Sequence, residues 1–196
     1  MLAQARYLLI AAAPKRFADN VLAELRGWFD DDGTCPFWET VGCRFFRLPY
    51  DQADLMSAST DGQFIADLAP RHPIYVELLP ERARQSVGRV HRDGEPARAM
   101  LEREGFRPSG LVDIFDAGPT VVSRRDDIRT VRDSRTYQVR VNEDVSGPAK
   151  LVARLGLEGF RAIRAAVSLS GDTASITPEA ARALDVATAD IVRVTA

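Results

Sequence analysis

Residues 96–122 read PARAMLEREGFRPSGLVDIFDAGPTVV, and this stretch decides the fold class. Its spacing predicts a helix over 96–104, stopped by Gly105, a residue that readily takes the left-handed conformation closing a helix. Phe106 then leads into one or two strands carrying Val112, Ile114 and Phe115. A helix running straight into strands is the unit of an alternating α/β layer.

The same outline recurs upstream. Ala/Leu propensity predicts a helix over 3–12, which Pro14 stops or turns, and Val21, Leu22 and Leu25 suggest a strand ending at Gly27. A turn at 31–33, a short helix with Pro36 in its first turn and a strand over 44–48 follow. Further helices are expected over 61–68 and 81–87, with HPIYVELLP, residues 72–80, as a mostly apolar strand between them.

Downstream, SRRDDIRTVRDSR is dense in charge, and its Ile128 and Val131 are too sparse to anchor a core segment. A domain crossing is therefore expected over 123–136, separating an α/β domain at 1–122 from a small β-rich barrel at 137–196. Short strands are expected in TYQVRVN, FRAIRAAVSLS, TASIT and DIVRVTA, with a helix over 178–184 behind the N-cap Thr177. Asp185 and Ala189 stand where small barrels of this outline carry glycine.

The bulk numbers exclude several classes. A chain of 196 residues with 45% hydrophobic residues supports one good core, or one domain and a small appendage. A formal charge of -2 gives no global attraction to nucleic acid or to an anionic membrane. The apolar start lacks a basic leader, and Arg6 interrupts it well short of a membrane span. Cys35 and Cys43 are too few for a disulfide framework and form no metal-ligand pattern, which fits a reducing cytoplasm and no metal.

PFWETVGCRFF and PARAMLEREGFR each resemble the late helix and strand of GNAT-type acyltransferases. More specifically, FIADLAPRHPIYVELLP, GRVH, PARAMLEREGFR, VDIFDAGPT and DDIRTVRDSR stand in the order and spacing of arginine N-succinyltransferase, a resemblance running from about Ala12 to Arg135. It implies a GNAT-like mixed sheet with flanking helices, and transfer of succinyl from succinyl-CoA to the α-amino group of L-arginine in arginine catabolism. Succinyl-CoA would be a cosubstrate, with no permanently bound cofactor. The resemblance also implies that His91, the histidine of a Gly-x-Val-His motif at Gly88 to His91, is the proton donor.

Members of the family carry a long N-terminal half with the early strands and the phosphate-cradling loop. The chain is expected to hold only the later part of the fold, with Met1 about where CoA pyrophosphate would meet a helix N-terminus. The cofactor-binding residues are then expected in that other half. A fragment, a late start or a split enzyme are the alternatives, the last making the chain a non-catalytic half that needs a partner subunit. Exposed sheet edges and apolar surface predict self-association.

An arginine substrate needs carboxylates for its guanidinium and cationic or backbone donors for its carboxylate. Strand alternation puts Glu24 and Arg26 on one face, and Asp113 and Asp116 are further acidic candidates. His91 suits a proton step near neutral pH because an unperturbed imidazole titrates at about 6.5. Small buried thiols at Cys35 and Cys43 are expected over a thiol nucleophile, a solvated turn at Asp30 to Asp32 over a cation site, a structural role for His72 over a substrate contact, and core positions for Trp28 and Trp38 over a ligand box. A nucleic-acid or protein module in the barrel is the weakest, given the acidic balance.

Overall fold

The computed structural model describes residues 2–59 and 63–196. Met1 therefore lies outside the described residues, as do Asp61 and Gly62 at the start of the helix expected over 61–68. Helix α1 (Leu2–Ala12) ends in a 3-10 turn at Pro14–Arg16, and strand β1 (Asn20–Glu24) follows. The chain divides into two units, Leu22–Val122 on one hand and Met1–Val21 with Ser123–Ala196 on the other. This departs from the split expected at 123–136, because α1 buries Leu8 against Leu151 and Ala153 of the later chain.

In the Leu22–Val122 unit, a π-helical turn (Trp38–Gly42) continues into α2 (Cys43–Phe46), and α3 (Tyr50–Ser59), α4 (Gln63–Leu68), α5 (Glu81–Ser86) and α6 (Glu95–Glu104) follow. Gly105 closes α6 at φ 100°, as its sequence predicts. Strands β2 (Arg107–Val112) and β3 (Pro119–Arg124) pair antiparallel, in a three-stranded sheet ordered β1-β3-β2.

Three expectations in this unit are overturned. Residues 44–48 coil instead of extending, because Trp38 folds its indole over Gly42, where a Cβ would stand 2.2 Å from the ring, and Arg47 ends the coil at φ 55°. Residues 72–80 carry a surface 3-10 turn at Val76–Leu78 where a strand was expected. High β-propensity records fit to a pleated, half-buried surface, and this segment has no ladder partner among the described residues. Ile114 and Phe115 lie in the loop after β2, and Phe115 joins the aromatic core of Trp38, Phe46 and Phe29.

In the other unit, α7 (Arg129–Asp133) fills the charged run, whose Ile128 is fully buried and anchors it after all. Strands β4 (Arg135–Val141), β5 (Ala149–Arg154), β6 (Ala162–Ala166), β7 (Ser168–Ser170), β8 (Thr173–Ile176) and β9 (Ile191–Val194), with α8 (Pro178–Leu184), complete the chain. The six strands form one mixed sheet, β6-β5-β9-β4-β8-β7, with β4 and β8 parallel. No closed barrel is formed among the described residues: the ladder ends in β6 and β7, consecutive segments flanking Val167, whose N–H extends the β5–β6 pairing by donating to Pro148 O at 3.2 Å. Thr177 caps α8 by accepting from Ala180 N at 3.2 Å. Asp185 and Ala189 adopt φ 58° and 78°, the conformation that glycine would take at less cost.

Candidate functional site

His91 is held by its own backbone and by that of residues 26–27. Val90 is buried and bridges Gly27, while the His91 N–H donates to Arg26 O at 2.8 Å. The imidazole caps the 3-10 turn Arg92–Gly94, its Nδ1 accepting from Asp93 N at 3.1 Å. In the neutral ring this acceptor role puts the lone pair on Nδ1 and the proton on Nε2, while Asp93 Oδ2 stands 3.5 Å from the same Nδ1. The ring stands edge-on to Phe29, with centroids 6.1 Å apart, and its side chain keeps 12% exposure. It opens on a cleft of about 620 Å³ that Arg26, Phe29, Tyr50 and Asp51 also line.

The acidic turn beside this cleft is spent on internal contacts. Asp30 pairs with Arg82, Asp31 pairs with Arg92, and Asp32 accepts from Thr34 N at 3.0 Å. That backbone hydrogen bond holds the Asp32 carboxyl below the usual range. The three carboxylates thus stitch the turn to itself and to the wall carrying His91, and this chemistry accounts for them without a cation.

A second cleft of about 270 Å³ gathers all four residues expected to bind substrate, Glu24, Arg26, Asp113 and Asp116, together with Tyr50 and Asp54. Arg26 and Tyr50 line both clefts. Glu24 and Arg26 are both exposed, as their alternation requires, and the Arg26 guanidinium lies over Phe29, 4.5 Å from the ring centroid. Tyr50 is half-buried, and burial followed by the Asp116 and Asp54 carboxylates pushes its hydroxyl pKa upward.

Asp113 and Asp116 are tied to backbone. Asp113 Oδ1 accepts from Phe115 N at 2.7 Å and from Asp116 N at 3.2 Å, turning the 113–118 loop. Asp116 is buried, and its two oxygens accept from Gly27 N and Gly118 N, each at 2.8 Å. Both carboxylate oxygens of Asp116 are therefore already engaged by backbone amides. Burial raises its pKa even so, outweighing the two amides that lower it.

The remaining candidates lie elsewhere. His72 is exposed and lines neither cleft. Burial pushes the Cys35 thiol up to about 11, unsuited to nucleophilic work, and Cys43 donates its thiol to Glu39 O at 2.8 Å. Trp38 is fully buried, whereas Trp28 is half-buried with the Arg89 guanidinium 3.3 Å above its ring, which corrects its assignment to the core. Tyr50 and Asp54 escaped sequence reasoning because α3 was not foreseen. Its signal was present, with Pro49 just before the helix and Asp51 in the first turn.

The family model described as arginine N-succinyltransferase beta subunit matches residues 1–130, and that of its C-terminal domain matches residues 135–196. A protein of Yersinia enterocolitica named arginine N-succinyltransferase is 43% identical over 196 residues, covering 98% of this chain and 57% of its own length. A protein of the same name from Escherichia coli is 38% identical over 195 residues, with the same coverage. The solved structure of arginine/ornithine succinyltransferase subunit AI from Pseudomonas aeruginosa superposes with a TM-score of 0.84 at 37% identity, over 98% of this chain and 56% of that one. The chain thus spans little more than half the length of these relatives.

Proposed function

We propose, from the premise that this chain belongs to the arginine N-succinyltransferase family, that it carries the proton step in transfer of succinyl from succinyl-CoA to the α-amino group of L-arginine. The neutral amine attacks the thioester carbonyl, a C–N bond forms and the C–S bond breaks. The nitrogen gives up a proton and the departing sulfur takes one. His91 as imidazolium, with Asp93 Oδ2 3.5 Å from its Nδ1, supplies the latter from Nε2 and recovers a proton from the amine nitrogen. The products are N2-succinyl-L-arginine and free CoA thiol, with no covalent enzyme intermediate.

The observation carrying this reading is the pair of clefts sharing Arg26 and Tyr50. An arginine whose amine faces His91 directs its guanidinium toward Glu24, Asp54 and Asp113, while Arg26 is placed to meet the α-carboxylate. Succinyl-CoA serves as acyl donor and cosubstrate. The two free thiols, Cys35 and Cys43, suit a cytoplasmic setting. Among the described residues no helix is long and apolar enough to cross a membrane.

The test follows thiol release from succinyl-CoA with the protein at the full length its gene encodes, offering arginine, ornithine and citrulline in turn. Arginine should be succinylated and citrulline, its uncharged near-isostere, refused by a wide margin. Equal use of citrulline would remove the acidic cleft from substrate recognition.

A second reading, favoured by the apolar side chains Leu55, Tyr75 and Leu78 at 72%, 75% and 79% exposure, is that the chain works only when joined to a partner carrying the CoA-binding elements. In that case the isolated chain self-associates and releases no thiol until the partner is added. A monodisperse, active monomer would overturn it.

A further inference from the structure

We infer that Asp116 is a positioning residue for His91, acting through the backbone of Arg26 and Gly27. This rests on the proposed role of His91 and extends it. The buried carboxylate clasps two segments at once, Oδ2 accepting from Gly27 N and Oδ1 from Gly118 N, each at 2.8 Å. The segments meet so closely that neither glycine admits a side chain. A Cβ at Gly27 would stand 2.1 Å from Asp116 O, and one at Gly118 would stand 2.0 Å from Leu25 O.

From this clasp two backbone hydrogen bonds reach the histidine motif. Gly88 N donates to Ala117 O at 2.8 Å, and His91 N donates to Arg26 O at 2.8 Å, with Gly27 bridged to Val90 between them. The loop carrying Asp116 thus grips the Gly-x-Val-His motif at its first residue directly and at its last through 26–27. Loss of the carboxylate frees Arg26 O to drift, and the imbalance falls on the imidazole, whose Nδ1 contact with Asp93 N depends on where the His91 backbone sits. One amide on each oxygen fixes the orientation of the Asp116 carboxylate.

Asp116→Asn tests this, because the asparagine NH2 would face one of the two amide N–H groups, donor against donor. Nitrogen-15 NMR of the imidazole in the full-length protein should show a single tautomer protonated at Nε2 in wild type. In the variant it should show mixed or exchanging tautomers. Kinetically, kcat should fall about 100-fold, as expected for a small misplacement of the reacting group, with the KM for arginine changed less than about threefold.

An unchanged imidazole spectrum in a folded variant overturns the proposal, and so does a raised KM for arginine at normal kcat, which marks a substrate contact. Where Asp116→Asn fails to fold, hydrogen exchange of the wild type decides. The amides of Gly27, Gly88, His91 and Gly118 should lose protection together in mild denaturant, whereas fast exchange at Gly27 and Gly118 with His91 still protected contradicts the linkage. The NMR signature needs no acyl transfer, so failure of His91 as proton donor stays distinguishable from failure of Asp116 as its positioner.

Discussion

In the six-stranded sheet, Val139, Ile176, Val192 and Val194 fill a core to which β4, β8 and β9 contribute by simple alternation, joined by Val152 of β5. In the Leu22–Val122 unit the order rests on single atoms: two glycines against facing carbonyls, one carboxylate across two loops, and an indole over the glycine four residues on. The first kind of order tolerates any residue of suitable shape. The second fails when one atom is added or removed, and it is the kind that holds His91.

Adding one atom at Gly27 should therefore have the largest effect. Gly27→Ala places a methyl 2.1 Å from Asp116 O and should cost roughly 3 kcal/mol or more, collapsing the Leu22–Val122 unit. Both tryptophans, Trp28 and Trp38, lie in that unit, so fluorescence-detected urea unfolding reports on it selectively. A wild-type midpoint would break the contrast between the units. Trp38→Ala should cost about 3–5 kcal/mol by the same measurement, since the indole stacks on both Phe46 and Phe115.

Cys35 sharpens the comparison through pH. Its folded pKa of about 11 lies above the ordinary 9.0, so at pH 8 the native protein should alkylate about 100-fold more slowly at Cys35 than the unfolded chain. The same shift means that the unfolded chain loses the proton first. Stability is fully present below pH 9 and is lost as pH rises toward 11 and above. Rapid labelling of native Cys35 at pH 8 would show the aromatic core to be open. The smallest effect belongs to the patterned unit, where Thr177→Ala removes one cap bond and should lower stability by about 1 kcal/mol in calorimetry. A loss several times larger would show that this unit too hangs on single contacts.

The contrast also explains what the sequence could disclose. Helix α6, its stop at Gly105, the N-cap Thr177 and most C-terminal strands are local or periodic, and all are present. Residues 44–48 and 72–80 misled because aromatic and branched residues favour strands only where a neighbouring surface receives them. Strand β5 was passed over although its Leu151, Val152 and Ala153 are buried in succession. At the site, GRVH was legible as a motif. The convergence of Glu24, Arg26 and Asp113 with Tyr50 and Asp54 depends on contacts between distant segments that no spacing encodes, and so does the clasp made by Asp116.

The direct test of the central claim is the rate of thiol release from succinyl-CoA in the presence of arginine, measured for wild type and His91→Ala at the full encoded length. A proton donor at His91 predicts that kcat falls by about 10²–10⁴-fold with little change in the KM for arginine. A variant that releases thiol at near the wild-type rate would contradict the account.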